Sequence, residues 1–139
     1  LEIVLIYNNR AFIGHIGDSR IYRIRKAIIR KLTQDHSYVQ KLVKDGTITP
    51  EQAEKHPQKN ILLKVLGCNA FIEPDVMVKG FLKEDVLVMC SDGLSNMVTQ
   101  DDIYKMASGN IEQATVDLVD KANENGGYDN ITVVIIKNI

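Results

Sequence analysis

With 139 residues, 45% of them apolar and 25% charged, the chain is long enough to bury one modest hydrophobic core. Its formal charge of −1, with acidic and basic residues interspersed, makes no field that would draw nucleic acid or an anionic membrane, so neither is expected as a partner. No apolar run nears the ~18 residues a membrane helix needs, no signal peptide is visible, and two cysteines without framework spacing suit a reducing compartment, so the expectation is a soluble, cytoplasmic protein.

The sequence opens inside an apolar run, Leu1-Glu2-Ile3-Val4-Leu5-Ile6, with no initiator Met, which points to part of a longer protein. Ile3 to Tyr7 and Ala11 to Ile16 read as strands, joined by Asn8-Asn9-Arg10, since Asn tolerates positive φ. Arg20 to Arg25 alternates apolar and polar, and Ile28 to Leu32 reads as its hairpin partner. Two successive hairpins indicate an antiparallel sheet. Ser37 to Asp45 then takes helical spacing, and Thr49-Pro50-Glu51-Gln52 is a helix start with a capping box. Pro57 ends that short helix, and an apolar stretch, Asn60 to Leu66, stops at Gly67. Strands return at Asp75 to Val78 and at the buried run Val86 to Cys90. Thr99 and Asn110 cap two helices, Gly126-Gly127 ends the second, and Ile131 to Ile136 reads as another buried strand. Cys68 and Cys90, in apolar surroundings, read as buried small hydrophobes.

Three segments read as a buried strand that stops abruptly at an Asp flanked by a small residue: Gly14 to Arg20 with Asp18, Cys90 to Leu94 with Asp92, and Gly126 to Ile131 with Asp129. A carboxylate set against an apolar strand needs a cation, strong hydrogen bonds or a raised pKa, because desolvating its charge costs several kcal/mol or more. Three such sites with backbone room beside each suggest a hard cation held by oxygens. Asp-Gly and Gly-Asp are also common turn pairs, so one alone would favour a plain turn.

Together with Leu32-Thr33-Gln34-Asp35-His36-Ser37 and Ile61 to Gly67, these segments resemble the motifs of the protein phosphatase 2C (metal-dependent protein phosphatase) family, bacterial single-domain type. The resemblance runs over nearly the whole chain, each motif weak alone but five falling in the family's order. It implies an α+β fold: an antiparallel β-sandwich flanked by helices in α/β/β/α layers, incomplete because only the C-terminal part of the catalytic domain, residues 1–139, is present. It implies two catalytic Mn²⁺ or Mg²⁺ ions with Asp92 and Asp129 as ligands, and a third ion held by Asp18 and shared with Asp92. Asn130 and Gly93 would support the ligands from outside. Ser37 to Asn60 matches the variable flap linked to substrate handling.

The implied activity is hydrolysis of phosphoserine or phosphothreonine in a protein by water shared between two ions. An opposing serine/threonine kinase is implied by analogy alone. The family's bridging Asp-Gly, its phosphate-gripping Arg and its general-acid His belong upstream, so these residues alone are expected to be inactive. His15 and His36 read as structural, and His56 as exposed. The alternative from another class is a non-catalytic pseudophosphatase or regulatory binding module on the same sandwich. The intact Asp18, Asp92 and Asp129 weigh against it, and the flap weighs against a phosphatase-like domain of a larger signalling protein.

Overall fold

The computed structural model describes residues 1–139. β1 (Glu2–Tyr7) and β2 (Arg10–His15) form a hairpin whose two-residue turn, Asn8-Asn9, has φ of +47° and +56°. Asn accepts that backbone at little cost, and such a turn follows the right-handed twist of its strands. β3 (Arg20–Arg25) and β4 (Ile28–Lys31) make a second hairpin. α1 (Tyr38–Lys44) and α2 (Pro50–Glu54) follow, capped by Ser37 and by the Thr49/Gln52 capping box. Then come β5 (Asp75–Gly80), β6 (Val86–Cys90), α3 (Asp92–Ser95), α4 (Gln100–Ala107), α5 (Ile111–Glu124) and β7 (Val133–Lys137). The strands form two antiparallel sheets, β1-β2-β5 and β4-β3-β6-β7.

Alternation along each strand decides which layer a side chain joins. In β6, Leu87 and Met89 pack toward the first sheet, while Val86, Val88 and Cys90 pack toward the helices. β3 divides likewise, Ile21 one way and Tyr22 and Ile24 the other. One core, built on Ala11, Ile13, Ile21, Phe81 and Leu87, therefore joins the two sheets. A second lies under the helices, which contribute Leu94, Ile103, Ala107, Leu118 and Ala122. Full burial of each large aliphatic side chain contributes about 1.5–3 kcal/mol. The layers are β/β/α, and the outer face of the first sheet carries exposed Ile3, Leu5, Val76 and Val78.

Four features differ from expectation. α3 has no sequence signal because four residues carry little more than one turn; it forms as Leu94 buries and the Asn96 N–H closes on the Asp92 carbonyl at 2.8 Å. β7 starts at Val133 and, as a sheet edge, is only half buried. Cys68 is exposed, because its apolar neighbours Val65 and Leu66 lie outside both cores and are exposed themselves. His56 is half-buried, with its ring edge-on to Tyr38 of α1.

Candidate metal and phosphate site

Three adjacent strands bring the candidate aspartates to one end of the second sheet. Arg20, Cys90 and Val133 lie side by side in register across β3, β6 and β7. Asp18 comes just before Arg20, Asp92 just after Cys90, and Asp129 in the connection leading into β7. Asp92 and Asp18 closely follow the ends of β6 and β2, as expected, whereas Asp129 follows α5 and precedes β7, because the segment before it is the end of a helix and not a strand.

The Asp92 and Asp129 segments are tied together by main-chain and hydroxyl bonds. The Ser91 N–H donates to the Thr132 carbonyl at 3.1 Å, and the Thr132 N–H donates to Ser91 Oγ at 3.0 Å. The Ser91 hydroxyl donates to the Asn130 carbonyl at 3.0 Å. Gly93 passes so near this backbone that a Cβ there would overlap the Asn130 carbonyl, so a glycine is required for the close approach. Asn130 touches Asp129 through its main chain, its N–H donating to Asp129 Oδ1 at 2.7 Å.

Asp18 and Asp92 line one cleft of about 720 Å³, and residues of α1 and α2, among them Val39, Gln40 and Ala53, line its flap side. Asp129, exposed at the same sheet end, is not part of the cleft lining. Burial, and after it the charge of Asp92, pushes the Asp18 carboxyl above the usual carboxylate range. Six aspartates are shielded from solvent at least in part: Asp18, Asp35, Asp75, Asp85, Asp92 and Asp102. Four have a basic partner, namely Asp35 with Arg20 at 2.7 Å, Asp75 with Lys64 at 3.2 Å, Asp85 with Arg25 at 2.5 Å, and Asp102 with Lys105 at 3.6 Å. Asp18 and Asp92 have none.

Two carboxylates sharing a cleft without a direct ion-pair partner, since Arg20 and Lys31 beside them are engaged by Asp35, are hard oxygen donors of the kind a divalent ion satisfies. No three His, Cys, Asp or Glu side chains converge closely enough to hold an ion. The residues present therefore fit a divalent cation in donor type and leave its ligand set open.

Several contacts around the site have no sequence signal. Arg20 forks onto Asp35, with Nε at 3.1 Å and Nη2 at 2.7 Å from Oδ2, and Lys31 approaches the same carboxylate at 3.2 Å. His15 is fully buried, its Nδ1 2.5 Å from Glu2 Oε1 and its Nε2 donating to the Gln34 carbonyl at 2.8 Å, which makes it structural as expected. His36 Nδ1 accepts the Gly17 N–H at 3.1 Å.

No family model matches the chain. Protein phosphatase PhpP of Streptococcus pneumoniae is 44% identical over 138 residues, covering 98% of this chain and 56% of that protein. The serine/threonine phosphatase of S. agalactiae superposes with a TM-score of 0.93 at 40% identity, covering 99% of this chain and 58% of that one. The catalytic domain of the phosphatase PstP, in complex with two manganese ions, superposes with a TM-score of 0.85 at 33% identity, covering 96% and 56%. Fold and relatives together define a sandwich of the kind found in serine/threonine phosphatases. The relatives and solved structures that it matches are protein phosphatase 2C-type serine/threonine phosphatases, and the match falls on their C-terminal portion. It spans about 55% of the length of the curated relatives it matches.

Proposed function

We propose that the chain supplies part of the metal centre of a protein serine/threonine phosphatase, with Asp92 and Asp129 as ligands of two catalytic Mn²⁺ or Mg²⁺ ions and Asp18 sharing a third ion with Asp92. The observation that supports this most is the Asp18–Asp92 pair, which alone among the shielded aspartates has no ion-pair partner within contact distance. Such ions, when bound, supply a water of lowered pKa and offset negative charge on a transferring phosphoryl group.

The chain's own residues hold the donors. Ser91 and Gly93 lock the Asp92 turn against the Asp129–Asn130 backbone. The Asn130 N–H occupies Asp129 Oδ1, which leaves Oδ2 for an ion. The flap, Ser37 to Asn60, walls the cleft where a phosphoserine or phosphothreonine side chain of a protein substrate would enter. An opposing kinase follows by analogy with the relatives' activity.

Because no three ligands converge, the 139-residue chain alone should turn over phosphopeptide negligibly with Mn²⁺. Clear Mn²⁺-dependent turnover by the purified chain would show that the site is more complete than these residues allow. In a protein of the relatives' full length carrying this segment, Asp92→Asn or Asp129→Asn should remove most activity at nearly unchanged Tm. Near-normal kcat in either variant would overturn the ligand roles.

A further inference from the structure

We propose that His36 is a positioning residue for the Asp18 carboxylate, acting through Gly17; this rests on the reading of Asp18 as a metal ligand. Gly17 has φ of +109°, in the left-handed region, and the space where a Cβ would stand meets nothing nearer than the Leu1 nitrogen at 3.8 Å. The turn that carries Asp18 therefore has no side-chain packing at Gly17 to fix it.

One residue grips its main chain from both sides instead. The Gly17 N–H donates to His36 Nδ1 at 3.1 Å, and the His36 N–H donates to the Gly17 carbonyl at 2.7 Å. Since Nδ1 accepts, the neutral ring carries its proton on Nε2, which lies 3.1 Å from Asp75 Oδ2, a close contact without good hydrogen-bond alignment.

The ring itself has little freedom. It stacks on His15 with centroids 4.5 Å apart, and His15 is clamped between Glu2 and the Gln34 carbonyl. The His36 carbonyl accepts the Leu63 N–H at 2.7 Å, tying the same residue to the segment after the flap. The chain of contacts runs from Glu2 through His15 and His36 to Gly17, so the Asp18 turn takes its place from the packed histidine pair. Residues that orient a ligand from outside its coordination sphere change metal affinity about 10–100-fold when lost.

Two substitutions of similar size separate this role from plain packing. In His36→Asn the side-chain oxygen falls near the place of Nδ1 and keeps the bond to Gly17. In His36→Gln the amide reaches toward the place of Nε2 and Asp75, and the Gly17 N–H loses its acceptor. Mn²⁺ titration of a protein of the relatives' full length carrying this segment, followed by paramagnetic broadening of the Asp18 and Asp92 amide resonances, reads the affinity. Hydrogen exchange of the Gly17 amide reads the grip.

The wild type and His36→Asn should bind Mn²⁺ within about twofold of each other, with a protected Gly17 amide, while His36→Gln should need roughly tenfold more Mn²⁺ and exchange quickly at Gly17. Equal Mn²⁺ response in all three proteins, or loss in Asn as large as in Gln, overturns the proposal. Absence of broadening in the wild type would instead sink the metal reading of Asp18, and the Gly17 exchange pattern would still decide whether His36 holds the turn.

Discussion

Asp35 and Asp18 sit on the same cleft and meet opposite fates. Burial pushes the Asp35 carboxyl up, but the forked Arg20 bonds, the Arg20 charge and Lys31 outweigh it and hold the group below the usual carboxylate range. Burial and then the Asp92 charge push Asp18 the other way, with Arg20 too weakly placed to reverse it. A carboxyl whose pKa is lower folded than unfolded binds fewer protons in the folded state. It therefore stabilises the fold above its unfolded pKa of about 3.9, and that contribution is lost as pH falls through the folded pKa. Asp35→Asn should accordingly cost roughly 1–3 kcal/mol at pH 7, since Arg20 loses its partner, and the gap to wild type should shrink in acid. Thermal melts at pH 7 and pH 3 check this. A gap of constant size at both pH values would mean that the Asp35 charge is not what holds Arg20.

The second hairpin closes with backbone strain at the scale of a single element. Lys26 has φ of +48° and Ala27 +61°, left-handed values that cost non-glycine residues about 1–2 kcal/mol each. The first hairpin makes the same kind of turn with Asn8 and Asn9, which accept it readily. Lys26→Asn combined with Ala27→Gly should raise stability by about 1 kcal/mol, after the extra freedom that glycine gives the unfolded chain is deducted. Urea unfolding measures it, and an unchanged or lower midpoint would show that the surrounding hairpin already relaxes the turn. The contrast also shows what a reader of the sequence can see. Asn-Asn announces its turn, whereas Lys-Ala does not, and the β3–β4 pair is legible only through the alternation of Ile21, Tyr22, Ile24 and Ile28 with charged neighbours. The caps at Thr49, Thr99 and Asn110 are legible because each side chain satisfies N–H groups within its own first turn. The aspartates stand out by type, but their assembly depends on the register of β3, β6 and β7, which no local pattern encodes. The Arg20–Asp35 fork and the His36–Gly17 bond are long-range contacts of the same kind. Cys68 misleads because neighbours along the chain need not be neighbours in a core.

Over the whole molecule, one sheet is covered on a single side only. Across the outer face of the first sheet, Ile3 stands opposite Gly14 and Gly14 opposite Val76, and the next row sets Leu5, Phe12 and Val78 side by side. Ile3, Leu5, Tyr7, Val76 and Val78 are 50–74% exposed, so the rows form a continuous apolar stripe and not scattered single residues. β1 is also an edge strand, with main-chain groups on one side free to pair. A sheet that is apolar on a face ordinarily buries that face against another layer, and this chain spans about 55% of its curated relatives' length. The isolated 139-residue chain should therefore bind a hydrophobic dye and self-associate with rising concentration. Leu5→Lys with Val78→Lys should suppress both, because two charges then interrupt the stripe at its centre. Since neither side chain belongs to a buried core, the unfolding free energy should shift by only about 0.5 kcal/mol or less. Sedimentation and dye fluorescence up to the order of 100 µM, where exposed apolar surface normally drives association, read the outcome. A wild-type chain that stays monodisperse and dark would mean that the stripe is sealed in solution by some arrangement of these same residues.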